Sequence, residues 1–190
     1  VTIIILKELG FNYSDISDVL LYIQSPPGRM DMVEYKNNRI IIDYAHTPDA
    51  ILNIISTVKE VCDGHIYTVF GCTGDRDRTK RPIMTKIVTD LCDRVIITED
   101  DIHNEDPNQI VDDMLKGITN TNYEIELDRK KAIIKGINLL DVNDALLILG
   151  KGHEEVMIIK DNKKIPFNDK KAVLDYLESS KVIRIEKIDD

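Results

Sequence analysis

Apolar runs of strand length recur along this 190-residue chain, and most are followed by a stretch with helical spacing. The runs are RIIID at 39–43, HIYTVFG at 65–71, RVIIT at 94–98 and ALLILG at 145–150, with a weaker one at Tyr123–Leu127. Their apolar residues are consecutive rather than alternating, so each strand has to be buried on both faces. Helical periods over 48–61, 82–92, 107–118 and 128–140 supply layers to cover them. The alternation predicts an α/β fold: a doubly wound, mostly parallel, Rossmann-like sheet with helices on both faces. After Gly150, EVMIIK (155–160), the turn DNKK (161–164) and IPF (165–167) predict an antiparallel edge hairpin. Asn168 then suits the cap of a last helix reaching about Glu178.

The opening residues have another character. One helix-like piece ends at Gly10, a second spans 14–22 behind a Ser14 cap, and Ser25-Pro26-Pro27-Gly28 breaks the chain. The chain starts at Val1 and runs straight into VTIIILKELGF, which suggests a cut through a longer protein. On this reading 1–25 is the tail of a preceding domain and 26–190 a domain of its own. The net charge of −9, without a long block of like charge, argues against a nucleic-acid partner. Cys62, Cys72 and Cys92 show no CxxC or CxxH spacing, so they read as reduced thiols of a cytosolic protein, with no zinc site and no disulfide framework. No apolar stretch approaches the roughly 20 residues of a membrane span.

In open α/β sheets ligands bind beyond the carboxyl ends of the strands, and these ends carry most of the interesting charge. IYTVFGCTGDRDRTKRP (66–82) is a strand, two glycines, a cationic loop and a helix start, an arrangement that can surround an anion with backbone N–H groups and arginines. A solvated charged turn is the plainer alternative. In IIIDYAHTPDA (40–50), Asp43 could accept from a ribose hydroxyl and His46 could donate to a phosphate; equally, Asp43 could cap the turn and His46 lie in the core. TEDDIHNEDP (98–107) clusters acids that could take Mg²⁺ or an ammonium group. Glu105 and Asp106 read better as helix-capping residues, and Asp100 and Asp101 as ligand-facing ones. LGKGHEE (149–155) offers close backbone approach at its glycines and a carboxylate at Glu154. Neither GxxxxGK[ST] nor GxGxxG occurs, so these loops read as half of an active site.

With these residues in place, the chain resembles the C-terminal domain of the Mur ligases. That pattern runs GRME, DYAHTPD, FGCGGDRDxxKRP, TSDNPRxEDP, DR and AGKGHE, with a final D near the last helix. Here the same order reads GRMD from Gly28, DYAHTPD from Asp43, FGCTGDRDRTKRP from Phe70, TEDDIHNEDP from Thr98, DR at Asp128, LGKGHEE from Leu149 and ND at Asn168. The resemblance covers residues 26 to about 178 and makes 1–25 the last helices of an ATP-binding central domain. It implies an ATP- and Mg²⁺-dependent ligase adding a diamino acid to UDP-MurNAc-L-Ala-D-Glu. The acceptor carboxylate would be phosphorylated and attacked by an amine, in the bacterial cytoplasm, as a monomer. The main Mg²⁺ ligands would belong to the central domain, and this domain alone would not be catalytic.

Carried over by position, Arg29, Asp43 and His46 would face ATP. Arg76, Asp100, Asp101, Ile102, His103, Gly150 and Glu154 would hold the amino acid, with Arg76 clamping a carboxylate and Glu154 taking an ammonium group. One departure matters. The DNPR of diaminopimelate-adding members is Asp100-Asp101-Ile102-His103 here. Loss of the arginine and gain of an acid imply a plain diamine such as lysine or ornithine rather than meso-diaminopimelate. A cyanophycin- or polyglutamate-type ligase and a non-catalytic amino-acid-binding domain are the alternative readings.

Overall fold

The computed structural model describes residues 2–20, 22 and 25–186. Strands β1 (Asp31–Tyr35), β2 (Asn38–Asp43), β3 (Ile66–Phe70), β4 (Arg94–Ile97), β5 (Tyr123–Ile125) and β6 (Ala145–Leu149) form one sheet in the order β1-β2-β6-β3-β4-β5. All pairs are parallel except β1 with β2. The last strand in sequence thus lies in the middle of the sheet. Its five residues ALLIL are fully buried, each larger side chain contributing roughly 1.5–3 kcal/mol by leaving water.

Helices α3 (Pro48–Lys59), α4 (Lys80–Leu91) and α5 (Pro107–Leu115) cover one face, where Ile51, Ile55, Val88 and Met114 pack on Ile41, Phe70, Ile97 and Leu147. Helices α6 (Arg129–Leu139) and α7 (Asp169–Glu186) cover the other, with Ile133 and Val173 on Ile40, Val69, Ile96 and Ile148. Adjacent strand residues point to opposite faces, so consecutive apolar residues are what a sheet covered on both sides requires. The helices begin where polar side chains meet their free N–H groups: Thr47 accepts from Ala50, Asp106 from Asn108, Asp128 from Lys131 and Asn168 from Lys171.

Two local expectations change. The hairpin after Gly150 is present as β7 (Val156–Ile159) and β8 (Lys163–Pro166), but these strands pair with each other as a separate two-stranded sheet. The amide of Ile102 donates to the Ile158 carbonyl and the amide of Ile158 to Asp101 Oδ1, which ties β7 to the loop after β4. The antiparallel edge of the main sheet is instead β1, joined to β2 through Lys36 and Asn37, both at positive φ. Near the start, α1 (Thr2–Glu8) and α2 (Tyr13–Leu20) are the two expected helices. Asn12 rather than Ser14 caps the second, accepting from Asp15 N–H at 2.8 Å. Its expected continuation to 22 runs into residues outside those described. Among the described residues no helix is long and apolar enough to cross a membrane, and all three cysteines are free thiols.

Candidate functional site

The loops after β2, β3, β4 and β6 meet at the carboxyl edge of the sheet around a cleft of about 470 Å³. Tyr44, His46, Arg76, Lys80, Asp100, Asp101, His103, Gly150 and Glu154 are on its walls. The four loops are neighbours because β6 inserts between β2 and β3, making the sheet centre the place where chain direction switches. Close backbone packing closes the cleft floor. Gly74 N–H donates to the Asp101 carbonyl at 2.7 Å. Gly150 sits at φ +113°, and a β-carbon there would run into the Asp100 carboxylate.

The cationic loop separates into two populations. Arg81 is buried and makes a two-point pair with Glu105, Nη1 to Oε2 at 2.9 Å and Nη2 to Oε1 at 2.8 Å, while Nη1 also reaches Asp113 at 3.1 Å. Arg78 reaches the same Glu105 at 2.9 Å, and the Asp75 amide donates to it at 2.6 Å. Glu105 therefore pins the loop instead of capping α5, and the Arg81 hydrogen bonds are the main reason its carboxyl lies below the usual glutamate range. Arg76, by contrast, is exposed and makes no ion pair or side-chain hydrogen bond among the described residues. Lys80 has a single loose partner among the described residues, Asp77 at 3.8 Å.

Beside the cleft lie two buried ionic clusters, centred on Arg129 and Lys151, whose pairings the sequence motifs do not give. Arg129 and Asp169, both fully buried, pair through two bonds of 2.8 Å. Lys151, also without exposure, holds Asp101 Oδ1 at 2.7 Å and Glu154 Oε2 at 2.8 Å, with Asp100 Oδ1 at 3.8 Å. Burial alone would lower the Lys151 pKa, but the attraction of Asp100 and the bonds from Asp101 and Glu154 outweigh it, and the ammonium titrates above its ordinary range. Burial pushes the Asp100 carboxyl upward despite Arg129 and Lys151. The signal for Lys151 was available in its position, a charge set between two glycines directly after a wholly apolar strand.

Of the expected amino-acid residues, the cleft brings together Arg76, Asp100, Asp101, His103, Gly150 and Glu154. Ile102 is turned away into the core beside Cys72 and Val111, because the backbone of this loop is fastened to β7. Of the expected nucleotide residues, His46 is on the wall and exposed, its Nδ1 2.7 Å from the Tyr44 carbonyl. Arg29 lies outside the cleft, its guanidinium 5.5 Å from the Tyr44 ring. Asp43 also lies outside; its Oδ2 accepts from Met30 and its Oδ1 from Ala45, both at 2.8 Å. The capping alternative describes Asp43 better than a ribose contact, whereas the core alternative fails for His46. Cys72 is buried in the glycine loop, and desolvation drives its thiol pKa far up, so it fills space there.

Sheet order, switch point and converging loops define a domain of the doubly wound α/β class. The chain belongs to the Mur ligase family: residues 28–152, most of its length, match the Mur ligase, glutamate ligase domain. It is 46% identical over 166 residues to the UDP-N-acetylmuramoyl-L-alanyl-D-glutamate--2,6-diaminopimelate ligase of Fusobacterium nucleatum, covering 86% of this chain and 34% of that protein. To the ligase of the same name from Prochlorococcus marinus it is 42% identical over 184 residues, covering 93% and 36%. The chain thus spans about a third of the length of these relatives. A solved structure of a ligase with that name superposes with a TM-score of 0.78 at 34% identity, over 93% of this chain and 37% of the other. The UDP-N-acetylmuramate-alanine ligase of Thermotoga maritima shares the fold, with a TM-score of 0.63 at 21% identity over 95% and 36%.

Proposed function

We propose that this chain is the amino-acid-presenting part of an ATP-dependent ligase that joins a diamino acid to UDP-MurNAc-L-Ala-D-Glu, with residues 1–25 belonging to the preceding domain. The observation that carries the reading is the presence, in one cleft, of a guanidinium without a side-chain partner among the described residues (Arg76) and a part-exposed carboxylate (Glu154), beside Asp100 and Asp101. A zwitterionic ligand matches both. Arg76 holds its α-carboxylate through a planar two-point contact, and Glu154 accepts from an ammonium group. The names of relatives at 42% and 46% identity support the same reaction.

Charge placement also bears on the side chain of the amino acid. The added acid at position 101 argued for a plain diamine, but Asp101 Oδ1 is occupied by Lys151 and the Ile158 amide. It offers little to a ligand cation. The acid thus gives no preference for a plain diamine, and the reading follows the relatives' names in taking 2,6-diaminopimelate, with His103 at the position of the lost arginine and Lys80 also lining the cleft.

ATP supplies the phosphoryl group that activates the acceptor carboxylate. Arg29 and His46 are exposed donors suited to its phosphates. Among the described residues no three His, Cys, Asp or Glu side chains are grouped to hold a metal ion, and in this reading the main Mg²⁺ ligands belong to the preceding domain. The contribution of the chain is positioning, which brings a held amine to the reacting carbonyl. The test is phosphate release by the full-length protein with UDP-MurNAc-dipeptide and ATP, screened over diaminopimelate, lysine and ornithine. Release that depends on diaminopimelate is expected. Release with lysine alone overturns the side-chain assignment, and no amino-acid dependence overturns the function.

A further inference from the structure

Lys151 differs from the buried Arg129 of this edge in how its partners end. Arg129 is matched one to one by Asp169, and neither reaches solvent. The Lys151 ammonium instead faces three carboxylates, Asp100, Asp101 and Glu154, of which Glu154 is 31% exposed and opens onto the cleft. One Glu154 oxygen, Oε2, is held at 2.8 Å; Oε1 has no partner among the described residues. Asp101 Oδ1 accepts from both Lys151 Nζ and the Ile158 amide, so the ammonium joins the loop after β6 to the loop after β4, and the same carboxylate oxygen joins that loop to strand β7. The cluster keeps a surplus of negative charge with Lys151 in place, so the lysine orients the site without cancelling its attraction for a cation.

We propose that Lys151 is a positioning residue for the amino-acid site: by gripping Glu154 Oε2 it aims Oε1 into the cleft as the acceptor for the ligand's ammonium group. It sets amino-acid affinity without touching the ligand. The functional consequence rests on the reading above, while the geometry of Glu154 does not depend on it.

The variants are Lys151→Met, which keeps length and removes charge, and Lys151→Met/Asp101→Asn, which also removes a carboxylate left stranded in the interior. In the full-length ligase either folded variant raises the KM for the diamino acid by about tenfold or more, with the KM for ATP and for UDP-MurNAc-dipeptide within about twofold of wild type. In a Glu154→Gln background, Lys151→Met adds less than about twofold, because both changes remove one interaction. A purely structural lysine would lower the active fraction and leave the amino-acid KM alone, and that result overturns the proposal. Crystal structures of the same variants give a readout separate from turnover. Displacement of the Glu154 carboxylate is expected, and an unmoved carboxylate rejects the positioning role. If the wild-type enzyme uses no diamino acid, the proposed function falls and the Glu154 geometry still decides the role of Lys151.

Discussion

The Arg129 guanidinium and the Asp169 carboxylate face each other through two parallel hydrogen bonds of 2.8 Å, with both side chains fully buried. The same guanidinium donates to the Glu99 carbonyl at 3.2 Å, just beyond β4, and to the Leu149 carbonyl at 3.0 Å, on the last residue of β6. The start of α7 is thereby fastened beneath the cleft floor. Removing one partner strands a charge in the interior, so Arg129→Met should cost about 3–5 kcal/mol. Urea unfolding measures it, and a loss below about 1 kcal/mol would show that the pair is dispensable.

Arg76 and Arg81 are five positions apart and should respond oppositely. Arg76 is exposed and unpaired among the described residues, so Arg76→Ala should change stability by no more than about 0.5 kcal/mol. It should raise the KM for the amino acid by about 10–100-fold, the value of a lost charge-assisted contact. Arg76→Lys should raise it too, since a point charge does not reproduce the planar fork. Arg81→Lys should instead lower the melting temperature, because Glu105 and Asp113 lose a buried partner. An unchanged KM in Arg76→Lys would reject the clamp.

Gly150 occupies a left-handed conformation with Asp100 pressed against it. Gly150→Ala should cost about 2 kcal/mol or more, from a disfavoured φ and a steric collision together. Thermal unfolding tests this, and a neutral alanine would mean the loop relaxes freely.

Glu105 gives a pH signature. Its carboxyl is held below the usual range mainly by Arg81, so the folded state binds this proton less tightly than the unfolded chain. The stabilisation is complete above the ordinary glutamate value of 4.5 and is lost as pH falls through the lower, folded value. Asp100, raised by burial, acts in the opposite direction. The difference between wild type and Glu105→Gln isolates Glu105: it should shrink on acidification below about pH 4.5. A difference that stays constant down to pH 3 would exclude the linkage.

Much of this was readable along the chain, and particular residues show where legibility stopped. The run ALLIL had to be an interior strand because no alternation gave it a wet face. The caps Asp106 and Asn168 were local decisions, made within three residues of the amides they satisfy. The 155–167 hairpin was legible as a hairpin, but its place was not, since the Ile102–Ile158 contact joins the loop after β4 to a strand far along the chain. Ile102 was carried into the site by its neighbours in sequence, yet in the folded chain it turns into the core.

What the amino-acid order determined alone was the type and succession of elements, because hydrophobic period and capping act over a few residues. It also determined which loops could carry chemistry, because strand ends in an α/β sheet share one edge. Only the tertiary structure decided which charges remain available. Arg76, Arg78 and Arg81 are equivalent as letters, and the difference among them is the distance to Glu105, 24 positions beyond Arg81. Asp169 selects Arg129 across 40 positions, and Lys151 takes Asp101 across 50. Such pairings follow from burial, where an unmatched charge is costly, and burial exists only once the sheet has brought those loops together.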